Sequence, residues 1–459
     1  ARRMENMRFI DLFAGIGGMR IALQKACEDK NIDSKCVFTS EIKPHAVQVL
    51  HQNFPDGKIS GDITKIRPNE IPDFDVLLAG FPCQPFSVSG KRDGFLDTRG
   101  TFFFEIERIL RDKKPFGFIL ENVEGLVKHD RINQRSPIGR TLETILNKLK
   151  ELQYYTNWNL LDAQDFGLAQ MRKRVFIVGT KLGYVNLEGF ERRKPGRFGD
   201  VLEKGKGGLK TKLSELLLER FKPEELYGKS IKDKRGGLDN IHSWDLGLKG
   251  EVTQEQKELL NLLLKQRRRK HWAKEKKIQW MDGMALTYGD IKTFFPSDNL
   301  KTMLDELVSL GYLRYEYPKD LKQEVHENGL VRSYRNYVED LEKGYNIVTG
   351  KLSFAINKIL HPNEVTPTLV ATDLGGLGVV DGNNIRKLTL REGLRLFGFD
   401  ESFKLDVPEK NGYDLLGNTV TIPLVKEVGL RLLEVFLGEK VLKDEEQLLP
   451  LFANLLMVG

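Results

Sequence analysis

Arg8-Phe9-Ile10-Asp11-Leu12-Phe13-Ala14-Gly15-Ile16-Gly17-Gly18 opens as an apolar run and closes on a glycine turn. A run of that length bounded by glycines predicts a buried strand, and the turn predicts the entry to a helix. Residues 36–40, 74–79, 116–120 and 174–179 repeat the run, with amphipathic helical stretches between them. That alternation predicts an α/β fold, doubly wound around a mostly parallel sheet. Ser136-Pro137 reads as the N-cap and first position of a helix striped by Leu142, Ile145, Leu146, Leu149 and Leu152. Residues 424–437 form a periodic helix that needs a partner surface, expected to be the N-terminal sheet.

The chain has 459 residues, 40% of them hydrophobic and 30% charged. This length suggests about three units with a substantial core. No apolar stretch approaches the roughly 18 residues of a spanning helix, which excludes a helical membrane protein, and the composition excludes a disordered chain. Three cysteines are too few and too scattered for a disulfide framework or a cysteine-rich zinc site, so a reducing, cytoplasmic setting is expected, with no export signal and no metal. The net charge is +7, but residues 186–280 carry 24 basic against 15 acidic residues, a local +9, leaving −2 for the rest. A concentrated excess of this kind suits a polyanion such as nucleic acid; a merely solubilising surface is the bland alternative.

Beyond Gly183 the α/β rhythm breaks, and residues 189–212 are rich in glycine and basic side chains. Thr253-Gln254-Glu255-Gln256 forms a capping box ahead of Leu259, Leu260, Leu263 and Leu264, in a helix that runs into the basic residues 265–277. A second helix from Leu300, carrying Met303, Leu304, Leu307 and Val308, stops near Gly311, and residues 312–317 read as a strand. Helix then hairpin fits a winged helix-turn-helix or a small structural bundle equally well.

Ligands of an open parallel sheet bind beyond the carboxyl ends of its strands. There the sequence puts the glycine turn, whose spacing is not that of a dinucleotide site, then Glu41 for ribose hydroxyls and Asp62 for an adenine amine. Together they indicate a nucleoside-containing cofactor. The fourth strand ends in Gly80-Phe81-Pro82-Cys83-Gln84-Pro85, where a thiol between prolines suits a presented nucleophile better than core packing. Cys27 and Cys36 fall on a helix and a strand and read as packing residues. The fifth strand brings Glu121-Asn122-Val123 beside the cysteine.

These motifs, with Gln170-Met171-Arg172-Lys173-Arg174, Arg386-Lys387-Leu388-Thr389 through Arg391-Glu392, and Gly417-Asn418-Thr419-Val420, occur in the order seen in the DNA (cytosine-5)-methyltransferases, and the chain resembles that family over nearly its whole length. The resemblance implies a class I S-adenosylmethionine-dependent methyltransferase fold with a second, smaller target-recognition domain. It divides the chain into a catalytic and cofactor-binding part (7–185), a target-recognition part (186–383) with a helical insertion near 251–318, a hinge (384–413) and a returning segment (414–459). It implies methyl transfer from S-adenosylmethionine, leaving S-adenosylhomocysteine, to C5 of a cytosine flipped out of duplex DNA. Cys83 would add to C6, Glu121 would engage N3 and the exocyclic amine, Arg172 would contact the base near O2, and Arg174 would support the pocket. Phe13, Gly15, Gly17, Glu41, Ile42, Asp62, Ile63, Gly80, Pro82 and Asn418 would line the cofactor; Ile42 stands where many relatives carry tryptophan. Gln84, Ser87, Ser89 and Arg99 would hold DNA from a mobile loop, and Arg267, Arg268, Arg269 and Lys270 would position phosphates. A prokaryotic restriction-modification enzyme follows, acting as a cytoplasmic monomer, with any cognate nuclease acting separately. Two alternatives are a tRNA-directed enzyme, whose branch carries a Cys-Phe-Thr tripeptide missing here, and a catalytically silent DNA-binding regulator.

Overall fold

The computed structural model describes residues 6–82, 101–233, 239–325, 331–349 and 355–444. By contacts the chain forms two compact units: Ala1–Glu203 with His361–Gly375 and Leu388–Gly459, and Lys204–Leu360 with Gly376–Lys387. The break in rhythm at Gly183 therefore precedes the division by some twenty residues. The reason is local: Asn157 and Asn159 donate side-chain hydrogen bonds to the carbonyls of Val185 and Leu187 (2.9 and 2.8 Å), holding that stretch to the first unit.

The first unit is built on β1 (Asn6–Leu12), α1 (Gly18–Asp29), β2 (Asp33–Ser40), α2 (Pro44–Asn53), β3 (Ile59–Ser60), β4 (Val76–Gly80), α3 (Phe102–Lys113), β5 (Gly117–Val123), α4 (Arg140–Glu151), β6 (Tyr155–Asp162) and β7 (Lys173–Thr180). The sheet order is β3-β2-β1-β4-β5-β7-β6, parallel from β3 to β5, with β7 antiparallel to both its neighbours. The order reverses at β1, so a crevice opens beyond its carboxyl end. Side chains of a strand alternate between faces. Ile10 and Leu12 enter a core with Phe103, Ile106, Ile109, Leu142, Ile145 and Leu149 of α3 and α4, while Met7 meets Cys27 of α1 on the other face (sulfur to sulfur 3.8 Å).

Two expectations are corrected here. The helix preceded by Ser136-Pro137 starts later, at Arg140 with Gly139 as its cap. Asn133 draws the Ser136 amide and hydroxyl into a turn, and Gly139 lies against the His129 backbone, where no side chain fits. The C-terminal helix, Ile422–Phe436, packs chiefly on α1 and not on the sheet: Gly429 lets it approach Leu23 and Ala26. Its end touches the sheet side through Phe436 and Phe116, with ring centroids 5.0 Å apart.

In the second unit, Ser230–Ile231, Asn240–Ile241, Lys358–Ile359, Leu377–Asp381 and Asn384–Lys387 form one sheet over Leu213, Leu217 and Leu226. The predicted helices are present as Gln254–Gln266, with the Thr253 capping box, and Leu300–Leu310, stopped by Gly311 at φ 88°. Strands Leu313–Glu316 and Gly344–Ile347 pair antiparallel, and between them runs the hairpin Lys319–Val325/Val331–Tyr337. Helix, strand, hairpin and strand thus follow one another along this stretch.

Candidate active site

The cofactor side begins at the end of β1. Phe13 stands in the left-handed region (φ 53°), which costs a non-glycine residue about 1–3 kcal/mol and marks a place where structure is bent for use. Its ring meets Phe102 edge-on at 5.3 Å. Gly15 also has positive φ, and a Cβ added there would meet nothing within 4 Å, so the turn leaves an open cradle. At Gly17 (φ 87°) a side chain would strike the Phe54 ring at 2.7 Å. Glu41, just past β2, accepts from the Gly15 amide (2.7 Å) and from its neighbours Ile42 and Lys43 (2.8 Å each). A carboxylate has about four acceptor positions, so three backbone donors fix its direction and leave room for one more. Ile42 is 66% exposed, an apolar surface beside that acid. Asp62 accepts from the Thr64 hydroxyl (2.7 Å) and amide (3.0 Å); the hydroxyl bond first, then the amide, holds its acidity stronger than usual. Ile63 is buried in the core below.

The returning segment closes this side. Thr419 and Val420 lie against Gly18, where a Cβ would come within 3.0 Å of both. Asn418 is exposed, its amide held by the Asp414 carbonyl at 2.8 Å, and Asp414 in turn pairs with Lys43 (2.9 Å).

Asp11 lies within β1, ahead of the turn. It is buried, one carboxyl oxygen has no hydrogen-bond partner, and burial pushes its pKa well above the carboxylate range despite Arg20. The folded chain thus keeps this proton to higher pH than the unfolded chain. Stability associated with it is full below the unfolded pKa and is lost as pH rises through the folded one. Urea melts of Asp11→Asn beside the parent, from pH 4 to 8, are expected to show the variant gaining relative stability as pH rises; a pH-independent gap contradicts this.

The second half of the site lies at β4 and β5. Gly80 registers with Glu121, whose carboxylate would stand 3.2 Å from a Cβ on Gly80. Asn122, buried, donates to the Phe81 carbonyl (2.9 Å) and so fixes the chain where it leaves β4 for exposed Pro82. Sequence reasoning gave Asn122 no role; its place between Glu121 and Val123 was the only signal. Arg174 on β7 reaches Glu121 at 3.2 Å. Burial raises the Glu121 carboxyl above its ordinary range, with Arg174 and then Arg172 opposing. Cys83, Gln84, Ser87, Ser89 and Arg99 lie outside the described residues.

Arg172 differs from its expected placing beside a base. It is 2% exposed, and its guanidinium donates to the carbonyls of Leu369 (2.7 Å), Gly417 and Thr419 (3.0 Å each). It also lies over the Phe397 ring at 4.9 Å, and burial lowers its pKa to about 9. Gln170 works beside it, donating to the Leu396 carbonyl and accepting from the Leu369 amide. The pair joins β7 to the returning segment. Arg172→Ala leaves three carbonyls unsatisfied and is expected to cost about 3 kcal/mol or more in urea unfolding, with Arg172→Lys recovering little because one ammonium cannot copy the fork. An alanine variant as stable as the parent contradicts that role.

Of the basic run in the second unit, Arg267 is buried and donates to Asn346 (2.9 Å), and Arg268 pairs with Asp282 (2.6 Å). Both were expected on phosphates. The run ends a helix, so its turn sends Arg267 inward, half-buries Arg268 and leaves Arg269 and Lys270 exposed.

A sequence profile of the C-5 cytosine-specific DNA methylases matches residues 7–434. The chain is 53% identical over 430 residues to the Type II methyltransferase M.NlaIV of Neisseria lactamica, covering 94% of this chain and 99% of that one. It is 40% identical over 451 residues to the Type II methyltransferase M.HgiCI of Herpetosiphon aurantiacus, covering 93% and 97%. A crystal structure described as a DNA modification methyltransferase encoded within an E. coli prophage aligns at TM-score 0.50 and 19% identity, over 94% of this chain and 99% of that chain, and bears on the fold alone. Among the described residues no helix is long and apolar enough to cross a membrane.

Proposed function

This chain belongs to the C-5 cytosine-specific DNA methylase family and is an enzyme that methylates C5 of cytosine in DNA; from that premise we propose that Cys83, Glu121 and Arg174 carry the reaction on a base turned out of the duplex. The observation that carries this reading is the meeting of β4 and β5. Gly80 abuts Glu121, Asn122 anchors the Phe81 carbonyl, and Arg174 holds the glutamate from β7. A thiolate two residues beyond Phe81 has a carboxyl group on the adjacent strand to work with.

C5 of cytosine is a poor nucleophile. The Cys83 sulfur bonds to C6 and pushes the ring electrons toward N3, where Glu121, protonated above the ordinary carboxylate range, holds the proton that neutralises the developing charge. C5 gains enamine character. Later the C5 proton leaves and the carbon–sulfur bond breaks, returning the thiolate. Arg174, beside Glu121, is the better candidate for touching the base, and Arg172 for supporting the pocket; this reverses the roles that the resemblance assigns. Base flipping is required because the ring faces are stacked in a duplex.

The donor we assign is S-adenosylmethionine. The open turn at Gly15, the open space at Gly61, the Glu41 carboxylate and exposed Ile42 suit its nucleoside. When bound it supplies an electrophilic methyl group. Phe13, Asp62 and Asn418 would complete the contacts, with Gly80 and Pro82 facing the reacting end. Strong similarity to Type II methyltransferases supports the protective half of a restriction-modification pair; we further assign it to the cytoplasm as a monomer, beside a separately acting nuclease. We assign residues 7–185 and 414–459 to catalysis, 384–413 to the hinge and 186–383 to target recognition.

Tritiated S-adenosylmethionine with mixed-sequence duplex DNA is expected to label C5 of cytosine, with tRNA a poor competitor. Label on N4, on adenine or preferentially on tRNA overturns the reading.

A further inference from the structure

Strands Asn240–Ile241 and Lys358–Ile359 lie in one sheet, yet more than a hundred residues separate them. Most of that excursion has its own core, with Trp244, Leu259, Leu263, Trp272, Ile291, Leu304 and Ile347 grouped apart from Leu217, Ile231 and Ile359. It is a module inserted into the sheet domain. Leu286 exchanges both backbone hydrogen bonds with Tyr345 (3.0 and 2.7 Å), so it and strands Gly344–Ile347 and Leu313–Glu316 make three rungs in sequence. Helix Gln254–Gln266, this first rung, helices Tyr288–Phe294 and Leu300–Leu310, then strand, hairpin and strand follow in the order of a winged helix, with the short helix Lys270–Lys276 added between the first helix and the first rung.

In that arrangement the last helix usually enters the major groove. Here it is unsuited. Leu300–Leu310 exposes Lys301, Thr302, Asp305, Glu306 and Ser309. Lys301 is taken up by both oxygens of Asp305 (2.7 Å) and by the Tyr345 hydroxyl (3.0 Å), and Glu306 accepts from Gln256 (2.8 Å). The remaining face is anionic, and DNA would repel it.

The opposite sign gathers elsewhere. On helix Lys270–Lys276, Lys270 and Lys274 follow the i, i+4 spacing of one face and are exposed, as is Lys277 at its left-handed cap, while Trp272 and Ala273 turn into the core. Arg269 precedes them, also exposed. Trp280, 42% exposed, lies under the Lys270 ammonium at 5.5 Å and donates to the Arg268 carbonyl (3.0 Å). The hairpin is tied to this segment: Asp320 accepts from the Gln279 amide (2.8 Å), and Arg335 donates to the Trp280 carbonyl (3.2 Å). A rigid cationic face with an aromatic edge, braced by the wing, is thereby held on a folded module.

We propose that the inserted module is a second DNA contact of this enzyme, engaging backbone phosphates through Arg269, Lys270, Lys274 and Lys277, and that its Leu300–Leu310 helix stays out of the groove. The contact carries no base information, because ammonium groups on phosphates act as point charges. It rests on the DNA substrate of the family but not on any assignment at Cys83.

The test is duplex binding by the full chain as a function of salt. Each phosphate contact contributes about 0.9 to the slope of log affinity against log salt. Changing Lys270, Lys274 and Lys277 together to glutamate is expected to lower that slope by about 2.7, so that between 50 and 200 mM salt the parent loses roughly 40-fold more affinity than the variant. The far-ultraviolet circular dichroism and urea midpoint of the variant should match the parent's, which shows that it is folded. Changing the three lysines to arginine should keep the parent slope. Adding charge to the helix, as Thr302→Glu with Ser309→Glu, should leave both affinity and slope unchanged. An unaltered slope in the lysine variant, or a loss of affinity in the helix variant instead, overturns the proposal. Loss of methyl transfer by the parent chain would count against the enzyme reading, and the binding slopes would still decide this one.

Discussion

Cys83→Ser is expected to lower turnover by on the order of 10⁴-fold or more while leaving duplex affinity in place, since removing a nucleophile abolishes the covalent path and not the binding surface. Neither other cysteine can substitute. Cys27 is fully buried, and burial pushes its thiol up to about 12; the Cys36 thiol is also raised, by burial first and then by Asp11. At neutral pH neither supplies a thiolate. Cys27→Ala and Cys36→Ala should therefore turn over within a few fold of the parent, measured as tritium transferred per minute. Comparable activity in Cys83→Ser would remove the covalent mechanism.

Glu121→Gln is expected to cost about 10²- to 10⁴-fold in turnover, the usual reach of a positioned acid or base. The carboxyl is raised by burial, opposed first by Arg174 and then by Arg172. It therefore keeps its proton to higher pH than an ordinary carboxylate, and turnover that needs this proton declines as pH rises through the raised value. Profiles of kcat against pH should show that decline in the parent and lack it in the glutamine variant. If the glutamine variant keeps the same limb, the titrating group lies elsewhere and Glu121 is a structural acid.

The half of the molecule written in apolar runs was legible in its sequence. β1 and its glycine turn, β4, β5 and β7 are continuous hydrophobic stretches because both faces of a parallel-rich sheet are covered. β6 was missed for the same reason in reverse. Its Thr156, Asn157 and Asn159 interrupt any apolar run, and only the folded chain shows that the asparagines serve to bind the following segment. Long-range hydrogen bonding also hid the division of labour between the two arginines. Arg172 and Arg174 are two residues apart where β7 begins, and nothing local says that Leu369, Gly417 and Thr419 will converge on the first. The basic run misled in a related way, because charge alone does not tell an inward Arg267 from an outward Lys270. Glu41 and Asp62, by contrast, sit where their strands end; Ile42, Lys43 and Thr64 are near neighbours in sequence, and Gly15 follows the adjacent strand β1.

The most direct measurement uses a duplex pool with 5-fluorocytosine in place of cytosine, incubated with the enzyme and S-adenosylmethionine. Fluorine on C5 cannot leave as the proton does, so the carbon–sulfur bond stays closed. Peptide mapping is expected to find a denaturation-resistant nucleotide adduct on Cys83. Its absence, or an adduct on another residue, from a preparation that methylates ordinary DNA would contradict the account.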